Sequence, residues 1–178
     1  MTKRIELRRE EGTGERLEML RASAAATHSA LATAVADADP LRALARMKFE
    51  PLGHDPLDGS RRLNLIEQLN QTFTYLAAFR AAEILFERHP VVGALMLNLG
   101  NVSGWDIESP EDGGIVAEVF AAVTPTNNQK LTADVKKLLL ADHAHRYVFY
   151  MCPGLPPGQV PHELAGERVR VWSLGEAA

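Results

Sequence analysis

The sequence holds one cysteine, no long apolar run and no surplus of positive charge. Each scarcity excludes something. Cys152 alone rules out an intramolecular disulfide and any zinc site built on clustered cysteines. A chain so poor in cysteine is expected in the cytoplasm. Spanning a bilayer takes about 20 consecutive apolar residues, which this chain lacks, so no membrane association is expected. The opening stretch MTKRIELRREEGTGERLEML is charged and has no apolar h-region, so no secretion signal is read there. A formal net charge of -4 argues against a broad, non-specific grip on nucleic acid, which rests on many Lys and Arg contacts to phosphate. It leaves room for a local basic patch, or for an enzyme that meets phosphate with a divalent metal. Glycine-rich phosphate loops are missing as well. No GxxxxGK string occurs, and LNLGNVSGW is followed by no helix, so it is not a dinucleotide fingerprint.

What is present suits a single α/β domain. The 178 residues are 46 % apolar, enough to supply a core. Residues 1–12 are charge-dense and read as loose chain or an edge strand, since KRIEL alternates. Glu15 to Ala36, rich in Ala, Leu, Glu and Arg, predicts a helix. Asp39-Pro40 is a cap followed by a helix-starting proline, with LRALARMK behind it. FEPLGHDPLDGSRR reads as loop. The longest helical pattern runs from Leu63 to Arg88 and carries Leu65, Ile66, Leu69, Phe73, Leu76, Ala77, Ile84 and Leu85. The period then shortens. VVGALMLNL, SGWDIES and GIVAEVFAAV read as strands, KLTADVKKLLLADH as a helix, and HRYVFYMCP and ERVRVWSL as strands. LPPGQVPHELAG reads as loop, and Thr126 or Asn127 as the cap of the helix before it. The expected organisation is an N-terminal helical extension, 1–62, packed on an α/β core, 63–178, as one globular domain with a mixed central sheet flanked by helices.

Two carboxylates stand where carboxylates are costly. Asp106 lies between Trp105 and Ile107, and Glu118 among Ile115, Val116, Val119 and Phe120. The turn-rich spacer SPEDGG separates them. A buried carboxylate costs several kcal/mol unless it is paired, protonated or bound to metal. If the two arms pair, their backbones lie about 5 Å apart, and side chains on one face can share a divalent cation. Oxygen-only ligation of that kind suits Mg²⁺ or Mn²⁺. Glu67, in LNLIEQLNQ, is a third candidate acid. Lys130, at the start of the following helix, is the candidate for orienting water or offsetting phosphate charge. Asn127, Asn128 and Gln129 offer polar contacts at the same helix start.

A helix with Glu, a strand, a strand with Asp, a strand with Glu, a helix and a strand resemble the order of the PD-(D/E)XK nucleases, the restriction-endonuclease-like superfamily. The matching residues are Glu67 in LIEQ, Asp106 in GWDI and Glu118 in AEVF, within about residues 63 to 152. The resemblance implies an αβββαβ core and a divalent-metal-dependent endonuclease that hydrolyses phosphodiester bonds in DNA. It implies Asp106 and Glu118 as metal ligands and Glu67 as a supporting acid. Trp105 replaces the usual proline before the Asp, and Phe120 the usual lysine after the second acid. Some members carry that lysine on the next helix, where Lys130 stands. The alternative is a catalytically inactive module of the same fold that binds nucleic acid or a protein partner. A homodimer would suit an enzyme that cuts both strands. Remaining candidates read as structure: His143 and His145 as caps at a helix C-terminus, His54 as part of a turn, and Cys152 as core.

Overall fold

The computed structural model describes residues 4–36, 39–100, 103–110 and 114–177, with the side chain of Asn127 outside the description. The spacer residues 111–113 also lie outside it. The chain divides into two compact units, 14–76 and 1–13 with 77–178. Sequence alone set the division between 62 and 63. The long helix α3 (Leu65–Arg88) belongs to both units, so no loop marks the boundary.

In the unit formed by 14–76, α1 (Gly14–Val35) buries Leu20, Thr27 and Ala34. These recur every seven residues and lie on one stripe of the helix. Helix α2 (Pro40–Phe49) starts as read from sequence. The Asp39 side chain accepts from the backbone N–H groups of Leu41 and Arg42, and Pro40 opens the helix. The segment read as loop instead forms an antiparallel hairpin, β2 (Gly53–Asp55) and β3 (Asp58–Leu63). Its turn is closed by Asp55 Oδ1, which accepts from Leu57 N at 2.9 Å. DGSRRL has almost no apolar alternation, which is why the strand was not legible. Gly53 makes room there, because a Cβ would lie 2.4 Å from both Gln68 Oε1 and Thr27 Oγ1 and would force those side chains to shift. Asp55 is buried, and Tyr75 OH donates to it at 3.0 Å. Burial, and then that carboxylate, push the Tyr75 phenol well above its ordinary range.

The other unit is mixed α/β, built on a seven-stranded sheet in the order β1-β4-β5-β6-β7-β9-β8. Its strands are β1 (Arg4–Arg8), β4 (Ala94–Asn98), β5 (Ile107–Glu108), β6 (Ile115–Ala121), β7 (His145–Met151), β8 (Gly158–Val160) and β9 (Arg170–Ser173). β1, β4, β5 and β6 run antiparallel in turn, β6, β7 and β9 are parallel, and β8 returns antiparallel. Helix α4 (Lys130–Leu139) makes the crossover from β6 to β7. Arg4–Arg8 thus takes the edge-strand reading, with Lys3 of KRIEL outside the described residues, and the loop LPPGQVPHELAG contains a short strand. Every residue of β6 but the last is buried, as expected for a strand covered on both faces. Alternation sets Val116, Glu118 and Phe120 on one face. Val116 and Phe120 pack there with Val135 and Leu138 of α4 and with Val148 and Tyr150 of β7. Glu118 therefore projects toward the α4 side of the sheet.

Candidate functional site

β5 holds two residues, and Asp106 stands immediately before it. The β5–β6 register pairs Ile107 with Ala117 and Glu108 with Val116. Carried on by one residue, it sets Asp106 opposite Glu118, and directly opposed residues project to the same face. The backbone carbonyl of Asp106 still accepts from Asn98 N at 2.8 Å, so pairing with β4 continues. Toward β6 the side chain takes over. Asp106 Oδ2 accepts from Val119 N at 2.8 Å, a ladder position that the shortened β5 leaves open.

Glu118 is only 3 % exposed. Its Oε1 accepts from Lys137 Nζ at 2.6 Å. That ammonium also donates to the Gly104 carbonyl at 2.7 Å and lies 4.8 Å from the centre of the Trp105 ring. Lys130, earlier on α4, donates to Asp134 Oδ1 at 2.6 Å and lies over the Phe120 ring. Three carboxylates and two ammonium groups thus meet between the β5–β6 pair and one face of α4.

The electrostatics follow from burial and crowding. Burial, and next the Asp106 carboxylate, push Glu118 up to about 7, with Lys137 pulling the other way. Burial also raises Asp106, against the Val119 N–H and the two lysines. Asp134 is raised by burial against its Lys130 partner. Ion pairing has not restored ordinary acidity to any of the three. The cluster therefore favours a proton or another cation on its oxygens.

The residues read from sequence separate accordingly. Asp106 and Glu118 come together, and Lys130 stands beside them, paired with Asp134. Phe120 is core, stacked on Tyr150, so no lysine belongs at that position. Glu67 is exposed and forms a reciprocal cap with Asn64: its Oε2 accepts from Asn64 N, and Asn64 Oδ1 accepts from Glu67 N at 2.9 Å. The cap of α4 differs from expectation. Asn128 and Gln129 take left-handed backbone angles, and Gln129 occupies the cap position without a cap hydrogen bond from its own side chain; of the two expected caps, the side chain of Asn127 lies outside the described residues. Both Asn128 and Gln129 are exposed.

Lys137 and Asp134 were missed, though their spacing carried a signal. Lys130, Asp134 and Lys137 lie at i, i+4 and i+7, one helical face, beside the apolar Leu131, Val135 and Leu138. His143 and His145 do not cap α4. His143 meets Trp105 edge to face, and His145 lies against His89 with ring centres 4.5 Å apart. His89 Nε2 is 2.8 Å from Tyr147 OH, which accepts from Arg170 at 2.7 Å, so the phenol proton is free to point at His89. Burial, then His145 and Arg170, lower His89 to about 4. Cys152 is buried in the core, as read.

Comparison with protein-family models, with curated proteins and with solved structures returns no match to this chain. The site's chemistry must therefore be read from its own atoms. Among the described residues no three His, Cys, Asp or Glu side chains are gathered closely enough to hold a metal ion by themselves. The donors are nevertheless all oxygen, and Asp134 Oδ2 is buried with no hydrogen-bond partner. An oxygen-only set with spare negative charge fits Mg²⁺ or Mn²⁺ with much of its water retained. Among the described residues no helix is long and apolar enough to cross a membrane.

Proposed function

We propose that this chain is a divalent-metal-dependent endonuclease of the PD-(D/E)XK type that hydrolyses phosphodiester bonds in DNA. The observation that carries the reading is the meeting of Asp106 and Glu118 at one point of the β5–β6 pair, with Lys137 of the next helix hydrogen-bonded to Glu118. The order α3, β4, β5, β6, α4, β7, with three antiparallel strands and then a parallel one, supports it. Asp106 and Glu118 would hold Mg²⁺ or Mn²⁺, and the ion supplies positive charge beside a phosphate and makes nearby water more acidic.

The chain's own groups do the rest. Lys137 takes the part of the lysine that Phe120 displaces from β6. Its ammonium is bound to Glu118 but remains partly exposed, so it can turn from carboxylate to phosphate oxygen. Lys130 is equally exposed and offers a second cationic contact along the same helix face. Trp105 lies beside Lys137 and shields one side of the ammonium from water. Glu67, the supporting acid that the resemblance implies, also caps α3 through its bonds with Asn64.

Nicking of supercoiled plasmid in Mn²⁺ tests the proposal. Asp106→Asn and Glu118→Gln abolish nicking, and Lys137→Met lowers it by about 100-fold or more. Glu67→Gln, which preserves the reciprocal cap, separates a capping role, in which nicking is unchanged, from a supporting role at the ion, in which nicking falls. Mn²⁺ binding without nicking by the wild-type chain would favour the binding-module reading. An absence of both would end the metal reading.

A further inference from the structure

Asp134 is an ionisable group whose burial its partners do not explain. It lies on α4, one turn before Lys137 and one turn after Lys130, and its side chain is 6 % exposed. Lys130 holds Oδ1, while Oδ2 is buried and has no hydrogen-bond partner. A helix aspartate with a lysine four residues away ordinarily sits in solvent, where the pair contributes little. Burying the acid and leaving one oxygen unpaired costs more than such a pair returns. The geometry around it shows where that oxygen is of use. Lys137, three residues on, reaches Glu118 from the same helix face, and Lys130 reaches over Phe120, two residues beyond Glu118 on the same face of β6. Asp134 lies between these two anchor points, close enough for its charge to be felt at both Asp106 and Glu118.

Resting on the proposed metal site, we infer that Asp134 is its third acid, a positioning residue on α4 whose free oxygen holds a water of the cation bound by Asp106 and Glu118. The arrangement accounts for the pairing with Lys130, which holds the carboxylate by Oδ1 and leaves Oδ2 buried without a hydrogen-bond partner. Carboxylates in that outer layer typically change metal affinity by about 10- to 100-fold when neutralised.

Calorimetric titration of the full chain with Mn²⁺ decides it, using wild type, Asp134→Asn, Asp134→Ser and Asp142→Asn. Asp142 is an exposed acid just beyond α4, so its variant removes the same charge from outside the site. Expected are a dissociation constant at least about tenfold weaker in both Asp134 variants and an unchanged one in Asp142→Asn. Thermal melts run alongside identify any variant that fails to fold, and the serine variant is the second route to the answer. Wild-type affinity in the Asp134 variants overturns this inference and leaves the nuclease reading standing. A wild-type chain that takes up no Mn²⁺ removes the metal reading itself, and the inference with it.

Discussion

At the scale of single residues, the site sets carboxylates against their own ionisation, and this is measurable without substrate. Glu118 has an ordinary value of 4.5 and is held at about 7 in the folded chain. Between these values the folded state keeps a proton that the unfolded chain releases. Stability therefore falls as pH rises through that window. Glu118→Gln cannot ionise, so it should melt higher than wild type at pH 8 and match it at pH 4; a lower Tm at pH 8 would mean that the Lys137 pair is a structural brace. His89 has the opposite sign. Its ordinary 6.5 is lowered to about 4, so stability falls as pH drops through that window, and His89→Gln should flatten the acid side of a Tm-against-pH curve. On the proposed metal reading, Mn²⁺ binding at pH 6.5 should release protons from Glu118, seen as a calorimetric enthalpy that varies with the buffer's ionisation heat. Asp106 and Glu118 were legible because acids among apolar strand residues are conspicuous. Lys137 and Asp134 were not, because LTADVKK also reads as an ordinary solvated helix face and only the packed β6 reveals which side is turned inward.

At the scale of elements, the ends of helices carry the clearest expectations. Arg9 follows β1 and donates to the carbonyls of Phe86, His89 and Val92, closing the C-terminal end of α3 and the turn beyond it. Its guanidinium also lies 4.9 Å from the centre of the Phe86 ring. Charge-assisted bonds to carbonyls at a helix end are worth about 1.5–3 kcal/mol, so Arg9→Met should lower unfolding free energy by about that much in a urea titration. Asp39→Ala, which removes the cap of α2, should cost about 1 kcal/mol by the same measurement. Helices and buried strands were legible because apolar period and caps are local signals. The β2–β3 hairpin and β8 were not, since short exposed strands lack alternation and depend on pairing that no local window contains. The α3 stripe was legible as a pattern but not in its burial: Ile66, Leu69 and Phe73 are exposed, whereas Tyr75, Phe79 and Leu85 are buried.

At the scale of the whole molecule, the sheet begins with a strand from the start of the chain. Arg4 to Arg8 pair with Asn98 to Ala94, and Arg4 also reaches Glu108 on β5. Removing residues 1–9 would strip β4 of its outer partner and leave a row of unpaired backbone groups beside the buried Leu95 and Leu97. Size-exclusion chromatography of that truncation should show more self-association than the full chain. The same pairing bears on the order in which the protein takes shape during synthesis. The stretch 14–76 is continuous and leaves the ribosome complete. The first strand emerges before it and must wait, unpartnered, until the segment around Leu95 has been made. Closure over so long a loop is expected to be slow, and charged side chains of the kind that alternate along RIELR disfavour pairing of a waiting edge with a wrong neighbour.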